Sequence, residues 1–260
     1  MCILGVRAFR PALRQRKGQK TMRGLGTIIN AGAIIAGGLL GLAGGRFLKK
    51  SMQDTLMKAT GVCVMFIGIG GAIEEMMTVS GQSLVSGSTM MMIGSMVIGS
   101  LIGEILNIEF RIEQFGEWLK ARTGNSQDPA FVDAFVTASL TVCIGAMAVV
   151  GAIQDGLSGD YSVLAVKAVL DLIIVLVMTS FLGKGCIFSA IPVALFQGVI
   201  TLAARLVEPL MTEQALGNLS LIGSLLIFCV GVNLIWEKKL KVANMLPAIL
   251  VAVVWAFVLE

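Results

Sequence analysis

Eight stretches of this 260-residue chain are each apolar and long enough to cross a lipid bilayer. They cover residues 25–45, 56–76, 88–106, 131–153, 162–182, 186–206, 214–236 and 242–259. A spanning helix needs about 20 mostly apolar residues, and eight such runs do not fit a soluble domain of this length. Backbone in lipid must satisfy its own hydrogen bonds, which leaves helices or closed barrels. The ten-residue alternating segments of a barrel are absent. The expected fold is therefore all-α, a polytopic transmembrane helix bundle of about eight spans. Composition agrees, with 56% apolar and 14% charged residues and a mean hydropathy of +0.89. A soluble domain carries about 25% charged residues. No loop exceeds about two dozen residues, so 22–260 reads as a single transmembrane domain.

Orientation follows from the basic residues of the short loops. Arg46, Lys49, Lys50, Lys58, Arg111, Lys120, Arg122, Lys184, Lys238, Lys239 and Lys241 fall after the odd-numbered runs, whereas the opposite loops hold only Arg205. The odd-numbered loops are expected to be cytoplasmic. Residues 1–23 contradict this, because they carry seven basic residues and no acid, and a short basic tail resists translocation. Met22 offers an alternative start, so residues 1–21 are expected to be an extension outside the natural mature protein. The net charge of +4 belongs to that extension. Beyond residue 23, thirteen basic residues face sixteen acids, and no nucleic-acid partner is expected.

Glycine, with 31 residues, recurs inside the runs. Lipid gives helices no hydrophobic reason to associate, so small residues that let backbones approach do the packing. Gly37-x-x-x-Gly41 and Gly99-x-x-x-Gly103 are such faces, available for internal packing or a homo-oligomer such as a dimer. A shift of 62 positions aligns Gly32, Gly37 and Gly41 with Gly94, Gly99 and Gly103. A shift of 80 aligns Cys63 and Gly71-Ala-Ile73 with Cys143 and Gly151-Ala-Ile153. The first four runs thus read as a repeated hairpin, and runs three to five and six to eight as inverted three-helix repeats. Residues 108–121 place Ile108, Ile112, Phe115 and Leu119 on one helical face and Glu109, Glu113, Glu117 and Lys120 on the other. That pattern predicts an interfacial amphipathic helix with Trp118 as an anchor.

Ionisable groups inside a span are costly and mark function or a buried pair. Lys167 and Asp171 stand four residues apart in the fifth run, on one helical face. Asp171 is a candidate to coordinate a cation or proton, with Lys167 tuning it or binding a substrate carboxylate; alternatively, the two simply pair to fix the helix. Softer candidates are Asn30, Ser139, Gln197 and Asn244. Thr141 and Asn233 are polar candidates of the same soft kind. Glu74, Glu75 and Asp155 read as solvated helix ends. Pro192 and Pro247 should kink or break the sixth and eighth runs. The five cysteines are singletons without metal spacing, and the chain has no histidine. That removes imidazole metal sites and triads. No phosphate-binding loop or dinucleotide fingerprint is present. No enzyme, metal or cofactor is expected beyond a coupling cation, Na+ or H+. The leading expectation is a secondary transporter or channel for a small solute or ion. The competing one is a structural, sensory or partner-binding membrane protein.

Gly26-Thr-Ile-Ile-Asn30, Ile102-Gly-Glu104, Gly145-Ala-Met-Ala148, Gly151-Ala-Ile-Gln-Asp-Gly156, Lys167-Ala-Val-Leu-Asp171, Gln197-Gly198 and Asn244-Met-Leu-Pro-Ala248 together resemble the bacterial domain-of-unknown-function 554 membrane proteins, over about 22–259. The resemblance implies a bacterial inner-membrane protein that starts near Met22. It carries no activity.

Overall fold

A computed structural model describes residues 23–80, 83–236 and 240–258; the basic extension lies outside them. The helices, in chain order, are α1 (Leu25–Gly45), α2 (Lys50–Met76), α3 (Thr89–Leu106), α4 (Ile108–Arg122), α5 (Phe131–Cys143), α6 (Ala146–Ser158), α7 (Ser162–Leu182), α8 (Ala190–Leu202), α9 (Ala204–Val207), α10 (Glu213–Trp236), α11 (Val242–Met245) and α12 (Pro247–Val258). A two-stranded antiparallel hairpin, β1 (Met77–Ser80) and β2 (Ser83–Ser86), links α2 to α3. The architecture is an all-α polytopic helix bundle.

Six of the eight expected runs are helices long and apolar enough to span, counting the sixth as Lys184–Leu202 with its short 3-10 segment. The fourth run is broken: α5 and α6 meet at a 65° bend. Gly145 sits there with φ 141°, a region L side chains rarely adopt. The eighth run covers only Val242–Val258 and breaks at Pro247, which opens α12. Pro192, expected to kink the sixth run, instead lies in the first turn of α8, where its missing N–H costs no helical bond. The amphipathic segment is α4. It starts beyond Asn107, whose left-handed backbone (φ 49°) ends α3.

The chain forms two compact units. One comprises residues 23–56 and 116–210, the other residues 57–115 and 211–258. The first therefore holds runs one, four, five and six.

In the first unit, α1 lies along α7. A Cβ at Gly37 would strike the carbonyl of Leu172, and one at Gly41 the carbonyl of Leu176; at Gly45 it would stand 2.7 Å from the Ser180 carbonyl. Every fourth residue of α1 thus meets the α7 backbone directly. Asp155, buried at the end of α6, closes the start of α1: its carboxylate accepts the N–H groups of Gly26 (2.9 Å) and Gly24 (3.2 Å). Asp155 was expected to be a solvated end. The orphan N–H groups of a helix N-terminus explain why it is buried instead.

In the second unit, Gly99 and Gly103 press on Ala248 and the Asn244 carbonyl, and Gly68 on Phe228 of α10. Both Gly-x-x-x-Gly faces are consumed inside the chain, so they are not the surface of a homodimer. Lys241 binds Glu104 at 2.7 Å, and that partner raises the Lys241 pKa above its ordinary value. Outward-facing apolar side chains such as Phe66, Leu101 and Ile105 are exposed, as a lipid-facing surface requires.

Two outcomes test this packing. Gly41→Leu should lower stability by more than the ~1–3 kcal/mol typical of overpacking, read as the thermal unfolding midpoint in detergent. An unchanged midpoint would mean that α1 and α7 do not pack this closely. Asp155→Ala should cost about 0.5–2 kcal/mol, the range for a lost N-cap, and Asp155→Asn should recover part of it.

Candidate functional site

Four of the six expected site residues meet in the first unit, around the break between α5 and α6. Ending α5 at Cys143 leaves its last carbonyls without helical partners. Ile144 turns the chain with extended backbone (ψ 129°). One freed carbonyl, that of Val142, accepts a hydrogen bond from Lys167 Nζ at 2.7 Å. The ammonium thus sits at the negative end of a half-helix dipole. The same Nζ donates to both carboxylate oxygens of Asp171, at 2.8 and 2.6 Å.

Lys167 is 6% exposed and Asp171 3%. Such burial removes both charges from water, a cost repaid only by close geometry and further hydrogen bonds. The Val142 carbonyl supplies one of these.

Asn30 lies on α1 between Gly26, which meets Leu164, and Gly37, which meets Leu172, and so opens a second polar layer beside this stretch of α7. Its Nδ2 donates to Gln197 Oε1 of α8 at 3.3 Å, and both residues are fully buried. One turn away on the same helices stand Thr27 and Thr201. Among the described residues, five buried side-chain atoms have no hydrogen-bond partner: Thr27 Oγ1, Asn30 Oδ1, Gln197 Nε2, Thr201 Oγ1 and, on α7, Thr179 Oγ1. Native interiors leave few such atoms, so each calls for an explanation. The four on Thr27, Asn30, Gln197 and Thr201 form a row along facing sides of α1 and α8. The row leads inward from a cavity of about 390 Å³ lined in part by Thr27 and Thr201.

The other two expected residues play different parts. Ser139 spends its hydroxyl on the Phe135 carbonyl of its own helix, at 2.6 Å, as serine in a span often does. Asn244 belongs to the second unit. Its Oδ1 accepts the Glu109 N–H at 2.7 Å and its Nδ2 donates to Glu104 at 2.6 Å, tying α11 to the junction of α3 and α4. Thr27, Thr201 and the Val142 carbonyl were not foreseen. Thr27 and Thr201 resemble any other helical threonine in sequence, and the carbonyl depends on a break that no proline announces.

The described residues contain no group of three or more His, Cys, Asp or Glu side chains able to hold a metal ion. No solved structure matches the chain. An uncharacterized membrane protein, YdfK of Bacillus subtilis (strain 168), is 30% identical over 90% of this chain and 96% of its own length. The uncharacterized protein YqgA of Escherichia coli (strain K12) is 27% identical over 88% and 94%. Residues 25–257 match the family described as protein of unknown function DUF554. With a match of that extent on a bundle of apolar helices, the chain is a multi-pass membrane protein and belongs to the DUF554 family.

Proposed function

We propose that this protein carries a small solute across a bacterial inner membrane, with its site centred on Lys167 and Asp171. The observation that carries this reading is the buried ion pair seated on a freed carbonyl at a helix break. Ionisable groups within spans concentrate on solute and proton pathways. Broken helices recur at the binding sites of secondary transporters. The row of unpartnered polar atoms on α1 and α8 leads inward from the cavity and supports the same reading.

A coupling step follows from the geometry. Both Asp171 oxygens are occupied by Lys167 Nζ, so a bare Na+ would have to displace an ammonium already in place. A proton need not. Protonating Asp171 cancels its charge and leaves Lys167 as an uncompensated cation able to hold a solute. Loss of the proton restores the pair and releases the solute. We therefore assign H+ as the coupling ion. If the odd-numbered loops are cytoplasmic, the Thr27–Thr201 end opens to the opposite side. With the glycine faces consumed internally, a homo-oligomer would form through the exposed apolar surfaces of α2 or α3.

The competing reading, a scaffold in which the pair only fixes α7, makes a different forecast. Removing one member of a buried ion pair costs about 3–5 kcal/mol, whereas replacing both by apolar residues is often neutral. Asp171→Ala should therefore destabilise the protein, and Lys167→Met with Asp171→Leu should restore the unfolding midpoint. Purified protein in liposomes holding a pH-sensitive dye is then challenged with succinate, lactate, inorganic phosphate, glutamate and lysine. The expected result is proton flux with at least one of these, accelerated by external acid and cut at least tenfold in Asp171→Asn and in the double variant. Wild-type flux in the stable double variant would overturn the site and favour the scaffold.

A further inference from the structure

The cavity at the end of the polar row carries information about the solute. Its volume of about 390 Å³ lies within the ~300–1,000 Å³ typical of small-molecule sites. Its charged lining residues are Arg23 and Arg205, from the start of α1 and from α9, and among the described lining residues there is no carboxylate. Arg205 is also the one basic residue in the loops opposite the basic face. Topology therefore does not account for it.

Beneath the arginines stand Thr27 and Thr201, 7% and 8% exposed, whose hydroxyls have no partner in the protein. A hydroxyl can donate one proton. Asp155, which caps the start of α1, has both oxygens engaged by the N–H groups of Gly24 and Gly26, so the start of α1 offsets its charge. Two arginines and two buried hydroxyls lining one cavity suit an oxyanion, since arginine binds carboxylate and phosphate oxygens through paired N–H bonds.

We infer that this cavity is the entry site for a small soluble oxyanion, held by Arg23 and Arg205 and received by Thr27 and Thr201. The inference rests on the transport reading and narrows its substrate to an anion. It also gives the coupling step a direction. An anion descending the row arrives at Lys167 and is held there only once Asp171 is protonated, so proton and anion travel together.

The test is thermal unfolding of the whole protein in neutral detergent, titrated with succinate, lactate or inorganic phosphate and compared with sodium chloride at equal ionic strength. A parallel arm adds phosphatidylglycerol, because a lipid headgroup presents the same oxygen chemistry. The expected result is a saturable rise in midpoint with at least one soluble oxyanion. Its apparent affinity should fall at least tenfold in Arg205→Gln and in Thr201→Val. Thr201→Ser and the remote Arg122→Gln should retain it.

Arg205 is exposed, so Arg205→Gln keeps the test readable even if Thr201→Val fails to fold. A response to phosphatidylglycerol alone, a response matched by chloride, no response, or full retention of affinity in Arg205→Gln would each overturn the inference. The liposome assay keeps the two readings apart. Oxyanion binding without Asp171-dependent flux would leave the entry site standing and remove transport. Asp171-dependent flux without oxyanion binding would do the reverse.

Discussion

A single ammonium group organises the first unit. Lys167 Nζ is bonded to Asp171 on its own helix and to the Val142 carbonyl at the end of a half-helix. Each partner needs the other two. Without Lys167, Asp171 would be a lone buried carboxylate and Val142 a buried carbonyl with no donor, and both are expensive in an apolar interior. Without the break at Gly145, the carbonyl would be committed to its helix and the ammonium would have only one counter-charge. The break, the pair and the placement of α5 against α7 are therefore one constraint seen from three sides.

The glycine faces set how closely that constraint is held. Gly37 and Gly41 let α1 lie directly on the α7 backbone, and this sets Asn30, two turns before Gly37 on α1, alongside the stretch of α7 that carries Lys167 and Asp171. Asp155 fixes the same helix from its end by capping Gly24 and Gly26. A larger residue at either glycine would lift α1 away and part Asn30 from that stretch. Packing and polar chemistry are thus coupled through one helix. Such close backbone approach is how helices associate where hydrophobic driving force is missing.

The sequence made the helical class, the run positions and the i,i+4 pairing of Lys167 with Asp171 legible, because each depends on local period and length. It also pointed to Asn30 and Gln197, since amides inside apolar runs stand out. What it hid depends on tertiary context. Pro192 looked like a helix breaker and is harmless in a first turn, whereas Gly145, one of many glycines, carries the break. Asp155 looked like a solvated end because sequence cannot show which helix start lies above it. Asn244 looked like a site residue for the same chemical reason as Asn30. The structure spends it on the α3–α4 junction, where it accepts the Glu109 N–H and donates to Glu104.

The contrast between those two asparagines separates a tie from a site. Asn244 has its carbonyl oxygen and its amide nitrogen both engaged, by Glu109 and Glu104, so nothing about it invites another group. Asn30 uses its amide and leaves its oxygen unpartnered, and Gln197 does the converse. A pair of side-chain amides has enough donors and acceptors to satisfy itself more fully than this. Packing alone would favour doing so, because each buried polar atom left over costs about 1–3 kcal/mol. Four such atoms in line, leading inward from a basic cavity, are a poor solution for stability and a reasonable one for passage. A solute that exchanges its water for these groups finds donors and acceptors already oriented, at a cost the fold has met in advance.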